Sequence, residues 1–175
     1  IRVRLQLGGK RRDLALFDLA IDSKPRGCDL VSLRVGDIAH GDRINSRASV
    51  IQHKTKRPDQ FEITESTRAA VSDWIKKAGL QPHSFLFPSR LRASPHLSTR
   101  QYARIVHCWI AEIGLDQNAY GTHSMRRTKA TLIYRRTHNL RDVQLLLAHT
   151  KIESTVRYLG IEVDDALEMA EQTKA

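Results

Sequence analysis

Apolar residues recur at helical spacing in several stretches of the chain. The clearest stretch ends near Ala148, and its apolar positions at i, i+3, i+6 and i+7 are Leu140, Val143, Leu146 and Leu147. This spacing is typical of an amphipathic helix with one buried face. Comparable patterns predict further helices over residues 10–21, 27–34, 65–78, 99–112 and 152–159. Gly79 would end the helix over 65–78, and Ser98 or Thr99 would cap the helix over 99–112.

The segment 37–64 has a different pattern, because its apolar residues fall in short β-branched or alternating stretches interrupted by Gly41-Asp42 and by a second polar turn. These stretches predict a small antiparallel sheet of three strands, and hence a mainly helical α+β fold. Lys54 would stand at the end of the second strand beside the turn, where a long cationic side chain can reach over a neighbouring site. Lys56 and Arg57 compete for that position.

Tyr158 does not fit the apolar pattern of its own helix. Ile152, Val156 and Leu159 stand at i, i+4 and i+7. At about 100° per residue, Tyr158 projects roughly 120° from the centre of that stripe. We therefore predict that this tyrosine is not simple core filling.

The composition is that of one folded domain without membrane spans or a disulfide framework. The chain has 175 residues, and no apolar run approaches the roughly 20 residues that cross a bilayer. The start of the chain also lacks the apolar core of a signal peptide. Cys28 and Cys108 are the only cysteines and form no C-x-x-C pair, so a cysteine zinc site is not predicted. We expect a soluble, cytoplasmic protein with no metal and no membrane partner.

The charge balance indicates a polyanionic partner. Twenty-nine Lys and Arg against 19 Asp and Glu give a formal charge of +10. Residues 121–160 hold eight Lys or Arg and two acids, whereas residues 161–175 hold five acids and one Lys. The alternative interpretation is a basic surface that serves solubility alone.

The basic segment also contains the candidate chemistry. His123 and Arg126 stand at i and i+3, so a helix capped by Thr122 would place both in its first turn, the end that attracts anions. His149 follows Arg126 by 23 residues, and Tyr158 follows His149 by nine. Each histidine alone is more often a surface or capping residue. Together, these spacings predict one phosphate-handling site.

With these residues, the chain resembles the catalytic domain of the tyrosine recombinases, the phage integrase family, over nearly its whole length. The resemblance rests on five motifs, which are Arg26 with Asp29 and Leu30, the hairpin Lys54, the H-x-x-R box His123–Arg126, the box Leu146-Leu147-Ala148-His149, and the T-x-x-Y box Thr155–Tyr158. Ala148 replaces the glycine usual before the second histidine, which can tighten that turn but removes no catalytic group.

The resemblance implies an enzyme that cleaves and rejoins DNA strands through a covalent 3′-phosphotyrosyl bond, without ATP or a metal, on the fold of the DNA breaking-rejoining enzymes. The implied catalytic residues are Arg26, Lys54, His123, Arg126, His149 and Tyr158. Tyr158 would be the nucleophile, and the two arginines would clamp the phosphate oxygens. Lys54 would protonate the leaving 5′ oxygen. His123 would assist transfer of the tyrosine proton, and His149 would hydrogen-bond the phosphate.

The same resemblance implies the partners. Double-stranded DNA would be the substrate, bound by a homo-oligomer that is a tetramer on recombining DNA, with accessory directionality factors and an origin in a phage or mobile element. The protein would then work at the bacterial nucleoid. We expect residues 1–175 to be the catalytic domain, without the N-terminal DNA-clamping domain of other members. An acidic tail helix at 161–175 would pack on a neighbouring protomer or on its own domain.

Two other functions stay open at this level. A type IB topoisomerase-like relaxing enzyme would use the same chemistry with a different arrangement of partners. A non-catalytic DNA-binding protein would use residues 140–159 as a helix-turn-helix. Trapping of a covalent complex with DNA separates this binding module from both enzymes.

Overall fold

Local sequence signals set the ends of the longest helices. A computed structural model describes residues 1–90, 94–147 and 149–160. Helix α5 (Glu65–Ala78) begins after Thr64, whose side chain accepts from the Thr67 amide, and ends at Gly79 in the left-handed conformation at φ 63°. Helix α6 (Thr99–Glu112) begins after Ser98, whose side chain accepts from the Gln101 amide. Both predicted helices are confirmed.

The remaining elements follow in chain order. The helices of the described residues are α1 (Arg2–Leu7), α2 (Arg11–Asp22), α3 (Gly27–Val31), α4 (Val35–Ile38), α5, α6, α7 (Thr122–Thr137), α8 (Leu140–Leu146) and α9 (Ile152–Leu159). The strands are β1 (Ala39–His40), β2 (Arg43–Ile44), β3 (Arg47–Ile51) and β4 (Pro58–Glu62). The chain divides into a first compact unit of residues 1–129 and a second that starts at residue 130.

The prediction of one three-stranded sheet is wrong. The described strands form two antiparallel pairs, β1 with β2 and β3 with β4. The reason lies between β2 and β3, where the backbone changes partners. The Asn45 amide donates to the Ile38 carbonyl, whereas the Ser46 carbonyl accepts from the Ile63 amide beyond β4. The predicted α+β class with small antiparallel sheets is confirmed.

Helix α3 is shorter than predicted, because it ends at Val31 and not at residue 34. The Ser32 hydroxyl donates to the carbonyls of Cys28 and Asp29, which satisfies the acceptors of the last turn. Leu33 then leaves the helix, and its carbonyl accepts from the Leu86 amide at 2.8 Å. It remains buried in the core, together with Leu86 and Phe87.

Helices α2 and α6 contribute the largest sets of buried apolar side chains to the core of the first unit. Phe17 and Trp109 pack edge to face across it, with ring centroids 5.6 Å apart. Asp22, at the end of α2, accepts from the hydroxyls of Thr64 and Thr67 at the start of α5. Burial raises the pKa of this carboxyl, but those hydrogen bonds and nearby cations outweigh burial and hold the pKa below its ordinary value. The residues just after Asp22 are thereby tied to the core.

The second unit has a smaller cluster of buried apolar side chains, which are Ala130, Tyr134, Val143, Leu147 and Leu159. Two predicted core positions are wrong, because Leu146 is 38% exposed and Ile152 is 43% exposed. On α9 the buried residues are Thr155 and Leu159, one turn apart, so the covered face is narrower than the predicted stripe. Ala148 and the predicted tail helix at 161–175 lie outside the described residues. Within the described part of the chain, no helix is both long and apolar enough to cross a membrane.

Candidate active site

The segment before α3 organises the cationic residues of the first unit. Arg26 precedes α3 as its N-cap residue. A methyl group built on the next residue, Gly27, would lie 3.4 Å from the Tyr102 ring and 3.9 Å from Cβ of Thr122. The start of α3 therefore lies against the start of α7.

Arg126 is anchored at the same segment. Its side chain is buried, and its Nε donates to the carbonyl of Lys24 at 2.8 Å. Lys24 and Arg26 are two residues apart, which limits their Cα separation to about 7 Å. The first unit therefore brings the side chain of one predicted arginine close to the backbone of the other.

Lys24 provides this carbonyl from an unusual position. Its backbone has φ 56°, the left-handed region that a lysine seldom adopts, and its side chain is buried. Burial lowers the pKa of Lys24 from 10.5 to about 8, and the charge of Lys129 contributes in the same direction. The neighbouring carboxylates raise the pKa but offset only part of these effects.

The turn between β3 and β4 carries Lys54, as predicted, and its side chain is exposed. Two contacts hold this turn against α3. Arg26 Nη1 donates to the Gln52 side-chain oxygen, and the His53 amide donates to the Asp29 carboxylate at 2.8 Å. Both contacts are made by the two residues just before Lys54, so the turn that carries Lys54 is attached to the start of α3 on its N-terminal side.

His123 lies in the first turn of α7 and is exposed. The prediction that Thr122 caps this helix is wrong, because Thr122 is already its first residue. The capping contact comes from Ser124, whose hydroxyl accepts from the Gly121 amide at 3.1 Å. This is the reverse half of a capping box, in which a side chain in the first turn satisfies the residue before the helix.

In the second unit, His149 and Tyr158 are in direct contact. Their rings meet edge to face, with centroids 5.4 Å apart and planes at 82°. His149 Nδ1 is 3.1 Å from the Thr155 hydroxyl, which is fully buried. Gln144 Nε2 donates to the His149 carbonyl at 3.1 Å. Tyr158 is half-buried and packs against the apolar cluster, so it belongs partly to the core and partly to the surface.

The other tyrosines occupy different environments. Tyr102 is buried, and burial raises the pKa of its phenol far above the ordinary value. Tyr134 belongs to the apolar cluster of the second unit, and Tyr120 is 41% exposed. Tyr102 and Tyr134 are thus packing residues, and Tyr120 is a surface residue.

The six predicted residues thus fall in two groups. The first unit carries Arg26, Lys54, His123 and Arg126, and the second carries His149 and Tyr158. Three polar residues in contact with them were not predicted as part of a site. Gln52 stands two residues before Lys54, Thr155 is the first letter of the T-x-x-Y box, and Gln144 is a polar residue on the buried side of α8. Only the T-x-x-Y box signalled such a residue from sequence.

A groove of about 790 Å³ runs beside α8 and α9 in the second unit, and it is predominantly basic. Its lining includes Arg141, Lys151 and Arg157, with Glu153 as the acidic side chain. Within residues 1–90, 94–147 and 149–160, His, Cys, Asp and Glu form no group of three or more that could hold a metal ion.

Comparison with known proteins identifies the family. The sequence model of the phage integrase family matches residues 8–163. A probable integrase/recombinase of Bacillus subtilis, YoeC, is 31% identical over 158 residues, which cover 90% of this chain and 82% of that protein. The tyrosine recombinase XerC of Caldanaerobacter subterraneus subsp. tengcongensis is 29% identical over 157 residues, which cover 87% of this chain and 42% of XerC. The chain therefore spans most of YoeC but less than half of this XerC.

Solved structures share the fold. The XerA recombinase superimposes with a TM-score of 0.78 at 19% identity, over 99% of this chain and 62% of XerA. The XerH site-specific recombinase, in its post-cleavage complex with palindromic difH substrate, gives 0.74 at 21% identity, over 91% of this chain and 45% of XerH. On the family match, the sequence relatives and the motifs, this chain belongs to the phage integrase family of tyrosine recombinases.

Proposed function

We propose that this chain cleaves and rejoins DNA strands, with Tyr158 as the nucleophile that forms a 3′-phosphotyrosyl bond. The observation that carries the proposal is the anchoring of Arg126 at the Lys24 carbonyl, two residues from Arg26, in a member of this family. This contact brings the Arg126 side chain close to the backbone of Arg26, and two planar guanidinium groups would suit the non-bridging oxygens of a phosphodiester. Such groups stabilise the charge that builds on the phosphorus in the transition state.

The proposed step balances without a cofactor. The Tyr158 oxygen attacks the phosphorus, and the bond from phosphorus to the 5′ oxygen breaks. Ionising a tyrosine of ordinary pKa near 10 costs roughly 4 kcal/mol at pH 7, so His123 assists by taking up the phenol proton. Lys54 donates a proton to the leaving 5′ oxygen. Attack of a 5′ hydroxyl on the phosphotyrosine reverses the step, so the bond energy is conserved and ATP is not consumed.

His149 would contact the phosphate in this scheme. Because its Nδ1 is engaged by the Thr155 hydroxyl, we assign the phosphate contact to Nε2. The edge-to-face contact with Tyr158 keeps the two rings in a defined relation. Thr155 and Gln144 would act as positioning residues for His149.

Double-stranded DNA is the proposed substrate. XerH with difH substrate and the Tn1549 integrase with transposon right end DNA are both DNA complexes of proteins with this fold. The basic groove beside α9 and the charge of +10 support the same partner. The finer proposals are that the active form is a homo-oligomer on DNA, a tetramer during recombination, that accessory directionality factors take part, and that the protein acts at the bacterial nucleoid.

Covalent trapping tests this proposal. The substrate is a library of duplexes with randomised sequence around a fixed nick, so that a short strand released by cleavage diffuses away and religation fails. We expect wild-type protein to become attached to DNA 3′ ends in a form that survives denaturation, and sequencing of the trapped DNA to give the preferred site. Tyr158→Phe removes only the phenol oxygen and should abolish the adduct. Tyr120→Phe, on an exposed tyrosine, should leave it unchanged.

The outcomes separate the alternatives. An adduct that persists in Tyr158→Phe, or that disappears on adding EDTA, contradicts the proposed nucleophile or mechanism. DNA binding without any adduct favours the helix-turn-helix function. Relaxation of supercoiled plasmid without preference for a trapped site favours the topoisomerase-like function.

A further inference from the structure

Gln52 contacts Arg26 and lies at the start of the turn that carries Lys54. It follows β3 directly, stands two residues before Lys54 and is only 1% exposed. Its side-chain oxygen accepts from Arg26 Nη1 and from the Thr55 hydroxyl, and its Nε2 donates to the Asp59 carboxylate at 2.7 Å. The side-chain oxygen thus accepts two hydrogen bonds and the NH₂ group donates one, all with partners within the protein.

We propose that Gln52 is a positioning residue for strand transfer. It fixes the position of the Arg26 guanidinium relative to the turn that carries Lys54. The inference rests on the proposed function, because it assumes that Arg26 stabilises the transition state and that Lys54 is the acid.

The orientation of the Gln52 amide is determined by its neighbours. Arg26 can only donate and an ionised Asp59 can only accept, so one orientation of the amide satisfies both. Asp59 is itself buried on β4. Rotation of the amide by half a turn would face its NH₂ toward the guanidinium and its oxygen toward the carboxylate, which loses both hydrogen bonds.

The backbone of Gln52 closes the turn that carries Lys54. The Gln52 amide donates to the Arg57 carbonyl, and the Lys56 amide donates to the Gln52 carbonyl, both at 2.9 Å. Lys54 lies inside the loop that these two bonds define. A displacement of Gln52 would therefore move both Arg26, which contacts the phosphate in the proposed mechanism, and the turn that carries Lys54, the proposed acid.

The expected effect is on the rate of the chemical step. Gln52→Met keeps the length of the side chain but removes the acceptor for Arg26 and the donor to Asp59. A misplacement of about 1 Å in a catalytic group can cost on the order of 100-fold. We expect cleavage at saturating DNA to slow by about 10- to 100-fold, with little change in the DNA concentration that gives half the maximal rate. The matched control is Gln60→Met on the exposed face of β4, which should leave the rate unchanged.

A substrate with a sulfur leaving group tests the link to Lys54. A thiol ionises near pH 8.5, far below an alcohol, so a 5′-bridging phosphorothiolate needs no acid to leave. If Gln52 positions Lys54 as well as Arg26, Gln52→Met should slow this substrate about 10-fold less than the oxygen substrate. An equal slowing of both substrates overturns the part of the proposal that concerns Lys54.

A pair of isosteric changes tests the orienting role of Asp59. Gln52→Glu places a second carboxylate against Asp59 and should slow cleavage. Adding Asp59→Asn replaces that clash with an amide donor, restores the hydrogen-bond pattern around Arg26 and should recover most of the rate. Comparison of Gln52→Glu with the double variant Gln52→Glu/Asp59→Asn tests the role of Gln52 even if Gln52→Met folds poorly. Failure of Asp59→Asn to rescue Gln52→Glu contradicts the proposed network.

Different results would contradict the proposed function and the proposed role of Gln52. If wild-type protein forms no adduct with the library, the proposed function is wrong. If wild-type protein forms the adduct and Gln52→Met cleaves within about twofold of the wild-type rate, only the role of Gln52 is wrong, since the expected loss is several times larger. In spectra of protein labelled with ¹⁵N-arginine, we expect Gln52→Met to shift the Arg26 side-chain signals, and unchanged signals would contradict the contact itself.

Discussion

The two arginines of the first unit and the tyrosine of the second differ in the contacts that surround them. In the first unit, Arg126 is hydrogen-bonded to a main-chain carbonyl and Arg26 to a buried amide. In the second, the Tyr158 ring packs against His149 and the apolar cluster. Hydrogen bonds in a buried site restrain direction, whereas ring packing restrains position more than direction.

This difference matches the tasks proposed for the two groups. A charge that stabilises a transition state acts best when it is oriented before the reaction begins, because reorientation then costs nothing at the barrier. The oxygen of a nucleophile moves toward the phosphorus as the new bond forms, so its side chain has to retain some freedom of movement. We therefore expect changes in the first unit to act on transition-state stabilisation, and changes around His149 to have smaller effects.

Among variants that keep the Tyr158 nucleophile, loss of Arg126 should have the largest effect. Arg126→Ala should reduce the rate of adduct formation by on the order of 10²- to 10³-fold, the usual cost of one transition-state donor. Arg126→Lys should recover little, because an ammonium retains the charge but lacks the planar guanidinium that engages the Lys24 carbonyl through Nε. Initial rates on the trapping substrate measure both variants.

The matched control is Arg127→Ala, which removes the adjacent, exposed arginine of the same helix turn. It should retain a rate close to wild type. Equal losses in Arg126→Ala and Arg127→Ala would mean that general positive charge, and not an oriented donor, supports the reaction.

The buried charge of Lys24, whose carbonyl binds Arg126, should lower the free energy of unfolding of the first unit. Because its pKa is lowered from 10.5 in the unfolded chain to about 8 in the fold, the unfolded state binds more protons between these pH values. Stability of the first unit should therefore rise as pH increases from about 8 toward 10.5. Lys24→Met removes the buried charge and keeps the carbonyl that binds Arg126, so it should stabilise the unit at pH 7 by on the order of 3 kcal/mol.

Denaturant unfolding followed by tryptophan fluorescence measures this effect, since Trp74 and Trp109 both belong to the first unit. The difference between wild type and Lys24→Met should shrink as pH rises above about 8 and be small near 10.5. Lys77→Met, on an exposed lysine of α5, is the control without this pH dependence. A constant difference from pH 7 to pH 10 would show that Lys24 is not a buried charge.

The sequence predicted the features that depend on a few neighbouring residues. Helices α5 and α6 were placed correctly because Thr64, Gly79 and Ser98 are local start and stop signals. The family resemblance located the six catalytic candidates, and the structure adds the contacts around them. Their catalytic roles stay predictions.

What could not be predicted depends on partners distant in sequence. The switch of backbone pairing at Asn45 and Ser46 requires Ile38 on one side and Ile63 on the other. The exposure of Ile152 follows from which part of α9 meets the apolar cluster, not from its own periodicity. Gln52 carries no motif signal of its own because its role arises from Arg26 and Asp59, which are 26 and seven residues away.

Thr155 should give the smallest effect and the sharpest test of the second unit. Its hydroxyl is fully buried and hydrogen-bonded to His149 Nδ1, so Thr155→Val removes one hydrogen bond at nearly constant volume. Loss of a single bond of this kind is worth about 1 kcal/mol, which corresponds to roughly a fivefold slower cleavage if His149 contacts the phosphate. Thr155→Ser keeps the hydroxyl and should remain near the wild-type rate. If Thr155→Val slowed cleavage as strongly as Arg126→Ala, His149 would have to be as rigidly oriented as the arginines, and the contrast between the two units would be wrong.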